Sequence, residues 1–107
     1  MIAIKNKEEM KKYYEKKVNA YVFNDNVEFL CDVNVRANIS ARDINAYKIR
    51  ARNIRARNIK AYNITADDIS YYAVCCAENN IECNSIKAIN PNSKHFVLKG
   101  ELIVGGK

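Results

Sequence analysis

The segment KIRARNIRARNIKAYNITADDI, residues 48–69, repeats every five residues. An isoleucine opens each repeat, and over most of the segment an alanine follows it two positions later. The same spacing extends back to residue 39. The repeating residues are Ile39, Ile44, Ile49, Ile54, Ile59, Ile64 and Ile69, with Ala41, Ala46, Ala51, Ala56, Ala61 and Ala66.

A five-residue period fits neither a helix nor a flat strand. Five residues of α-helix turn about 500°, so successive isoleucines would spread around the whole circumference. On a strand, Ile and Ala share a face, but the next Ile is an odd number of residues away and would point the opposite way. The conflict disappears if the chain bends once per repeat. The sequence therefore predicts a mostly β fold, a small β-solenoid whose coils hydrogen-bond to each other about 4.8 Å apart.

The residue before each isoleucine supports corners at these positions. In six of the repeats it is Asn or Asp, which favour turns: Asn38, Asp43, Asn53, Asn58, Asn63 and Asp68. Because stacked coils bring equivalent positions together, these side chains are predicted to form hydrogen-bonded ladders between coils.

The repeat resembles that of the pentapeptide-repeat family, which forms right-handed quadrilateral β-helices with four five-residue sides per coil. The resemblance covers residues 39–73 strictly and 21–90 with irregular members. The order here is Ile-x-Ala, large residue first, whereas the family usually places the small residue first. The number of sides per coil is therefore open. A coil of twenty residues would put Arg42 beside Tyr62, Tyr47 beside Asp67, and Arg52 beside Tyr72.

Irregular repeats flank the strict array. Before it, Tyr21-x-Phe23, Val27-x-Phe29 and Val33-x-Val35 recur every six residues and predict a wider first coil. After it come Val74-x-Cys76, a two-residue insertion, Ile81-x-Cys83 and Ile86-x-Ala88, and Pro91 is predicted to end the array.

Caps are predicted at both ends of the solenoid, because an open coil end is an unpaired sheet edge. At the front, Asn6 and Glu9 predict a capping box for a helical cap over 6–18. Its apolar face would consist of Met10, Tyr13, Tyr14 and Val18. At the back, residues 94–104 predict a β-hairpin cap that turns near Lys99 and Gly100. The whole chain, 1–107, is interpreted as one domain.

The net charge of +6 is unevenly distributed. Residues 36–60 contain eight basic side chains and one acidic side chain, whereas residues 65–85 contain four acids and no base. No apolar run is long enough to cross a bilayer, and the start lacks the apolar stretch of a signal peptide. We therefore expect a cytoplasmic protein with no membrane partner.

The cysteines and the single histidine predict neither a metal site nor a disulfide framework. Three thiols and an imidazole are a known zinc set, but no C-x-x-C spacing is present. Cys76 and Cys83 are assigned to the inward alanine position and Cys31 to a corner. Ser40 and Ser70 have no nearby histidine, and no glycine-rich phosphate loop occurs. The sequence thus predicts a protein without enzymatic activity, metal or cofactor.

The outward residues give the functional hypothesis. The candidate binding residues are Arg42, Tyr47, Arg50, Arg52, Arg55, Arg57, Lys60 and Tyr62. Residues 50–60 are expected to form a basic band over one or two adjoining sides, facing a protein or protein–nucleic-acid partner with phosphate contact. By analogy with small phage or mobile-element proteins, we expect an inhibitor of host defence such as an anti-CRISPR protein. The alternatives are a solvated wall with no partner, a self-associating module that forms a homodimer, and a general nucleic-acid binder.

Overall fold

The computed structural model describes residues 2–105, whose strands form one thirteen-stranded β-solenoid with a short helix between the first two strands. The helix α1 spans Lys7–Met10, and 3₁₀ turns follow at Lys11–Tyr13 and Lys16–Val18. The strands are β1 Ile2–Ile4, β2 Tyr14–Glu15, β3 Ala20–Val22, β4 Val27–Phe29, β5 Val33–Asn34, β6 Asn38–Ser40, β7 Asp43–Asn45, β8 Lys48–Arg50, β9 Asn53–Thr65, β10 Asp68–Cys83, β11 Ser85–Ala88, β12 Lys94–Val97 and β13 Leu102–Val104.

Each regular coil takes fifteen residues and has three sides. Ile39 pairs in parallel with Ile54, and the next two isoleucines along the chain likewise pair with residues fifteen positions on. The number of sides per coil, which the sequence left open, is therefore three. The four-sided coil that the family resemblance implies is wrong for this chain. A branched aliphatic and an alanine from each of three sides fill the smaller interior.

We number the three sides in chain order. Side 1 contains β3, β6, the first parts of β9 and β10, and β11. Side 2 contains β1, β4, β7, the middle parts of β9 and β10, and β12. Side 3 contains β5, β8, the last parts of β9 and β10, and β13. The strands β9 and β10 continue around the corners of the coil.

The interior is apolar throughout the described residues. The isoleucines from Ile39 to Ile69 are at most 2% exposed, and the alanines from Ala46 to Ala66 are also buried. No polar or charged residue is buried between residues 2 and 105. The predicted inward positions of the strict array are thus confirmed, with the exception that Ala41 is half-buried.

The predicted side-chain ladders are confirmed at the corners. On side 1, Asn53 Nδ2 donates to Asn38 Oδ1 at 2.9 Å. On side 2, Asn58 Nδ2 donates to Asp43 Oδ1 at 2.9 Å. These bonds pair polar corner groups between coils and fix the vertical register.

The N-terminal cap differs from the prediction. Asn6 caps the helix by accepting from the Glu9 N–H at 3.1 Å, but the α-helix ends at Met10. Tyr14 leaves the helical conformation because β2 pairs antiparallel with β3. Met10 is buried against the first coil and Tyr13 is half-buried, whereas Tyr14 and Val18 are exposed. The continuous helix over 6–18 is therefore wrong. The parallel pairing of β1 with β4 was not predicted.

The irregular repeats after Ile69 place their extra residues elsewhere than predicted. One register shift lies between Tyr71 and Val74, and a second lies between Ala77 and Asn80. Cys75, not Cys76, therefore aligns with Ile59 and faces the interior, and the assignment of Cys76 to the alanine position is wrong. Tyr71 occupies an alanine position and is fully buried, so the wider coil accommodates its ring.

The C-terminal strands form the last coil instead of the predicted hairpin. β12 and β13 each pair in parallel with β10. Lys99 and Gly100 form the corner between sides 2 and 3, where the Lys99 N–H donates to the Glu78 carbonyl at 2.9 Å. A Cβ at Gly100 would collide with the Asn79 backbone, so this corner requires glycine. The hairpin over 94–104 is wrong because each segment continues the parallel ladder.

The first prediction concerns the core. Ile59→Ala removes a fully buried side chain and is expected to lower the free energy of unfolding by about 2–5 kcal/mol. Ile86→Ala, at a half-buried position on the last coil, is the matched control and is expected to cost less than half as much. Urea denaturation followed by circular dichroism measures both. Equal losses would contradict the interior assignment.

The second prediction concerns the ladder. Asn58→Asp places two carboxylates where Asn58 now donates to Asp43, and should destabilise the fold by about 1–3 kcal/mol at pH 7. Repulsion raises the folded-state pKa of one carboxyl, so the loss is full above that raised pKa and shrinks as the pH falls toward about 4.

The matched control for this ladder variant is Asp43→Asn, which recreates the amide pair seen on side 1 and is expected to be nearly neutral. Urea denaturation at pH 7 and at pH 4 measures the difference. A loss that does not depend on pH would contradict the ladder contact.

Candidate binding surface

The basic residues of the array surround the solenoid instead of forming a flat band. Arg50 is central on side 3, Arg55 is central on side 1, and Lys60 is central on side 2. Arg52 and Arg57 lie at the corners between them. The predicted band over one or two adjoining sides is wrong, because eleven consecutive residues extend over three five-residue sides.

Residues fifteen positions apart form columns along the corners. The Tyr62 N–H donates to the Tyr47 carbonyl at 2.8 Å, and the two rings stack with centroids 4.9 Å apart and planes 10° apart. The Arg57 N–H likewise donates to the Arg42 carbonyl at 2.6 Å. The pairings expected for a twenty-residue coil, such as Arg42 with Tyr62, are therefore wrong.

Acidic residues lie above the basic residues at two places, one coil above at a corner and two coils above on side 3. Asp67 follows Arg52 at the corner between sides 3 and 1, where the Asp67 N–H donates to the Arg52 carbonyl at 2.7 Å. On side 3, Thr65 separates Arg50 from Glu82. On side 1, the residue paired above Arg55 is Ser70. The residue two coils above Arg55 is Lys87, so side 1 presents its central arginine without an acid in either of the two coils above.

A shallow depression of about 530 Å³ lies beside this arginine. We call it the arginine groove, and it is lined by Ser40, Ala41, Arg55, Ala56, Arg57, Tyr72 and Ile89. The two alanines lower the floor because their side chains are small. Ser40 and Ser70 pair with Arg55 from the coils on either side. Two arginine side chains thus border a recess whose upper wall is aromatic and aliphatic.

The arginines of the groove form no ion pair with an acidic side chain of the described residues. The ion pairs between side chains of residues 2–105 are Lys11 with Glu8 and Lys99 with Glu78. Below the groove, a hydrogen bond from the Asn26 N–H, with a contribution from the Arg42 charge, lowers the pKa of Asp25. Arg55 and Arg57 are therefore the cations of this surface best placed to meet an outside anion.

The structure thus brings only part of the predicted site together. Arg42, Arg55 and Arg57 lie at or below the groove, Tyr47 and Tyr62 form a separate stacked corner, and the remaining predicted residues are on other sides. Tyr72 and Ile89 were missed. Tyr72 is 47% exposed and Ile89 is 44% exposed. Tyr72 follows Arg42 and Arg57 at the same fifteen-residue offset, a signal that appears only once the coil length is known.

The thiols lie apart from this groove and differ in accessibility. Burial raises the pKa of Cys75 to about 12, and burial also raises the pKa values of Cys83 and Cys31. All four cysteines are free, and Cys31 lies in a bend as predicted. Cys76 points outward and is half-exposed.

Within residues 2–105, no three His, Cys, Asp or Glu side chains converge in a way that would hold a metal ion. None of the helices in that range has the length and apolar character needed to cross a bilayer.

Comparison with known proteins gives no relative. No protein-family model, curated protein or solved structure matches the chain.

The third prediction follows from the thiol burial. With a thiol-specific alkylating reagent at pH 8, Cys76 should be labelled first, and Cys75 and Cys83 should react only after unfolding, because a buried thiol with a raised pKa yields little thiolate. Mass spectrometry of digested protein measures the order, and Cys76→Ser is the control that should abolish the fast phase. Fast labelling of Cys75 would contradict the register shift.

Proposed function

We propose that the protein is a non-enzymatic binding protein whose arginine groove receives an anionic group of a protein or protein–nucleic-acid partner. The observation that carries the proposal is the pair Arg55 and Arg57, which line one recess and make no ion pair within residues 2–105. Arginine matches carboxylate and phosphate geometry with two parallel hydrogen bonds, and the bordering Ser40 adds a hydroxyl donor.

The stacked arrangement of cations supports an outside anion. Arg42 and Arg57 are neighbours in adjacent coils, and two like charges about 5 Å apart in water repel by about 1 kcal/mol. An anion bound between the guanidinium groups removes this repulsion and gains charge-assisted hydrogen bonds. The parallel ladders fix the backbone beneath the arginines, so little ordering of the main chain accompanies binding.

The upper wall of the groove indicates a partner that is not purely polar. Tyr72 and Ile89 are exposed beside the arginines. Partly exposed aromatic side chains next to arginine are typical of protein-binding surfaces. A tyrosine also stacks on unpaired bases, which keeps single-stranded nucleic acid as the second candidate.

The relation to the pentapeptide-repeat family stays a proposal too. The five-residue period of the array supports it, while the three-sided coil differs from the family's quadrilateral geometry. A role as a phage or mobile-element inhibitor of host defence is a further proposal that depends on analogy alone.

The fourth prediction tests the groove. The double variant Arg55→Ser with Arg57→Ser should lose at least tenfold in affinity for the partner, because it removes both cations from the recess. The control is Lys48→Ser with Arg50→Ser, which removes the same charge from side 3 and should bind almost normally. The partner is obtained by capture from the native host on immobilised protein and identified by mass spectrometry. Affinity is then measured by calorimetry.

Two outcomes would contradict the groove as the binding site. Equal loss in both double variants would mean that net charge alone drives binding, and unchanged capture by the groove variant would mean that another surface binds. For the nucleic-acid candidate, anisotropy of a labelled single strand is measured against salt. For each phosphate that the protein neutralises, the slope of log affinity against log salt concentration should be more negative by about 0.7.

A further inference from the structure

The C-terminal end of the solenoid is an open sheet edge in residues 2–105. The three strands of the last coil, β11, β12 and β13, each pair with β10 alone. In earlier coils, the N–H of the alanine-position residue donates to the following coil, as Ala46 does to the Lys60 carbonyl at 2.9 Å. The equivalent residues of the last coil are Ala88, Val97 and Val104, and no further coil follows them in this range.

Apolar side chains accompany this edge. Leu102 and Val104 align with the buried Ile81 and Cys83 and therefore lie over the interior, yet they are 39% and 50% exposed. Phe96 and Ile103, at the outward central positions of their strands, are also exposed. The hydrophobic interior of the solenoid thus reaches solvent at this end, together with unpaired backbone groups that favour strand addition.

The opposite end of the solenoid differs from this one, because additional N-terminal segments lie on it. On side 1, the antiparallel strand β2 covers β3, and on side 2, β1 covers β4. Met10 of the helix is buried against this first coil. A head-to-tail stack would therefore have to join this irregular end, which carries the helix and an antiparallel strand, to the regular parallel coil at the other end. Two open ends facing each other make a closed two-fold dimer.

The strand register suits this two-fold arrangement. A perpendicular two-fold axis makes the facing edge strands antiparallel, and centring each pair on its outward central residue places interior-facing residues opposite each other. A two-fold axis through β11 would place the Lys87 side chains of the two copies opposite each other, and their like charges would repel. A two-fold axis through β12 instead places the Phe96 side chains of the two copies in contact, and an axis through β13 does the same for Ile103. Either contact joins two apolar side chains.

From these observations we propose that the protein forms a homodimer through the open coil end made by β11, β12 and β13. The two interiors join into one continuous core, and the edge N–H and C=O groups of each copy pair with those of the other. The occupant of the surface is a second copy of this chain. Ile89 of the arginine groove lies next to this edge, but Arg55 lies two coils below β11, so the dimer carries two grooves.

The fifth prediction tests the dimer by size-exclusion chromatography with light scattering. The native chain should elute at twice its mass of 12.3 kDa and dissociate only on dilution below about 10 µM, the range expected for a dimer of moderate affinity. Phe96→Lys with Ile103→Lys puts charges on the outward face of the edge strands and should shift the dissociation constant at least a hundredfold. Leu30→Lys is the control and should remain dimeric, because Leu30 is an exposed apolar residue near the N-terminal end of the solenoid.

Circular dichroism should confirm that the edge variant retains its fold, and a Leu102→Asn variant provides a second test from the interior side of the same edge. A monomer at all concentrations up to about 100 µM, or a dimer unchanged by both edge variants, would overturn the proposal. The groove variant Arg55→Ser with Arg57→Ser should remain dimeric, so failure of the groove and failure of the dimer are distinguishable.

Discussion

The fifteen-residue register between neighbouring coils is the constraint on which the rest of the structure depends. It places isoleucine on isoleucine and alanine on alanine, so three short sides close around a core without polar groups. The same register brings Asn58 to Asp43 and Tyr62 to Tyr47. If one coil slipped by a single residue, each inward side chain of that coil would turn to solvent. Core, ladders and surface columns are thus consequences of one spacing.

The sequence carries the solenoid fold because the Ile-x-Ala period is incompatible with a straight helix or strand. It does not carry the number of sides, since three and four sides both keep Ile39 and Ile44 inside. The three-sided and four-sided coils differ in the interior volume that the side chains must fill. Ile and Ala side chains fill the smaller interior of the three-sided coil. Periodicity also fails where the period breaks. The extra residues follow Tyr71, whose ring is fully buried, and Ala77, and no local pattern predicts either position.

The errors at the two ends have a common physical origin. Met10 to Val18 has helical amphipathicity, yet Tyr14 pairs as a strand because the edge of β3 is available. His95 to Val104 has hairpin character, yet both of its strands lie along β10, because a parallel ladder already exists there. Inside this last coil, the Tyr71 hydroxyl and His95 Nδ1 form a hydrogen bond at 2.6 Å. In each case, tertiary pairing outweighs local propensity.

The same register explains why the functional residues could be predicted only in part. Arg55 and Arg57 were found from their charge, but their neighbours Tyr72 and Ile89 are identified only when fifteen residues separate adjacent coils. A nuclear Overhauser spectrum of the native protein tests that spacing most directly. The account predicts cross-peaks between the ring protons of Tyr47 and Tyr62 and between the Tyr62 amide and Tyr47. Cross-peaks that connect Tyr62 with Arg42, the spacing of a twenty-residue coil, would contradict it.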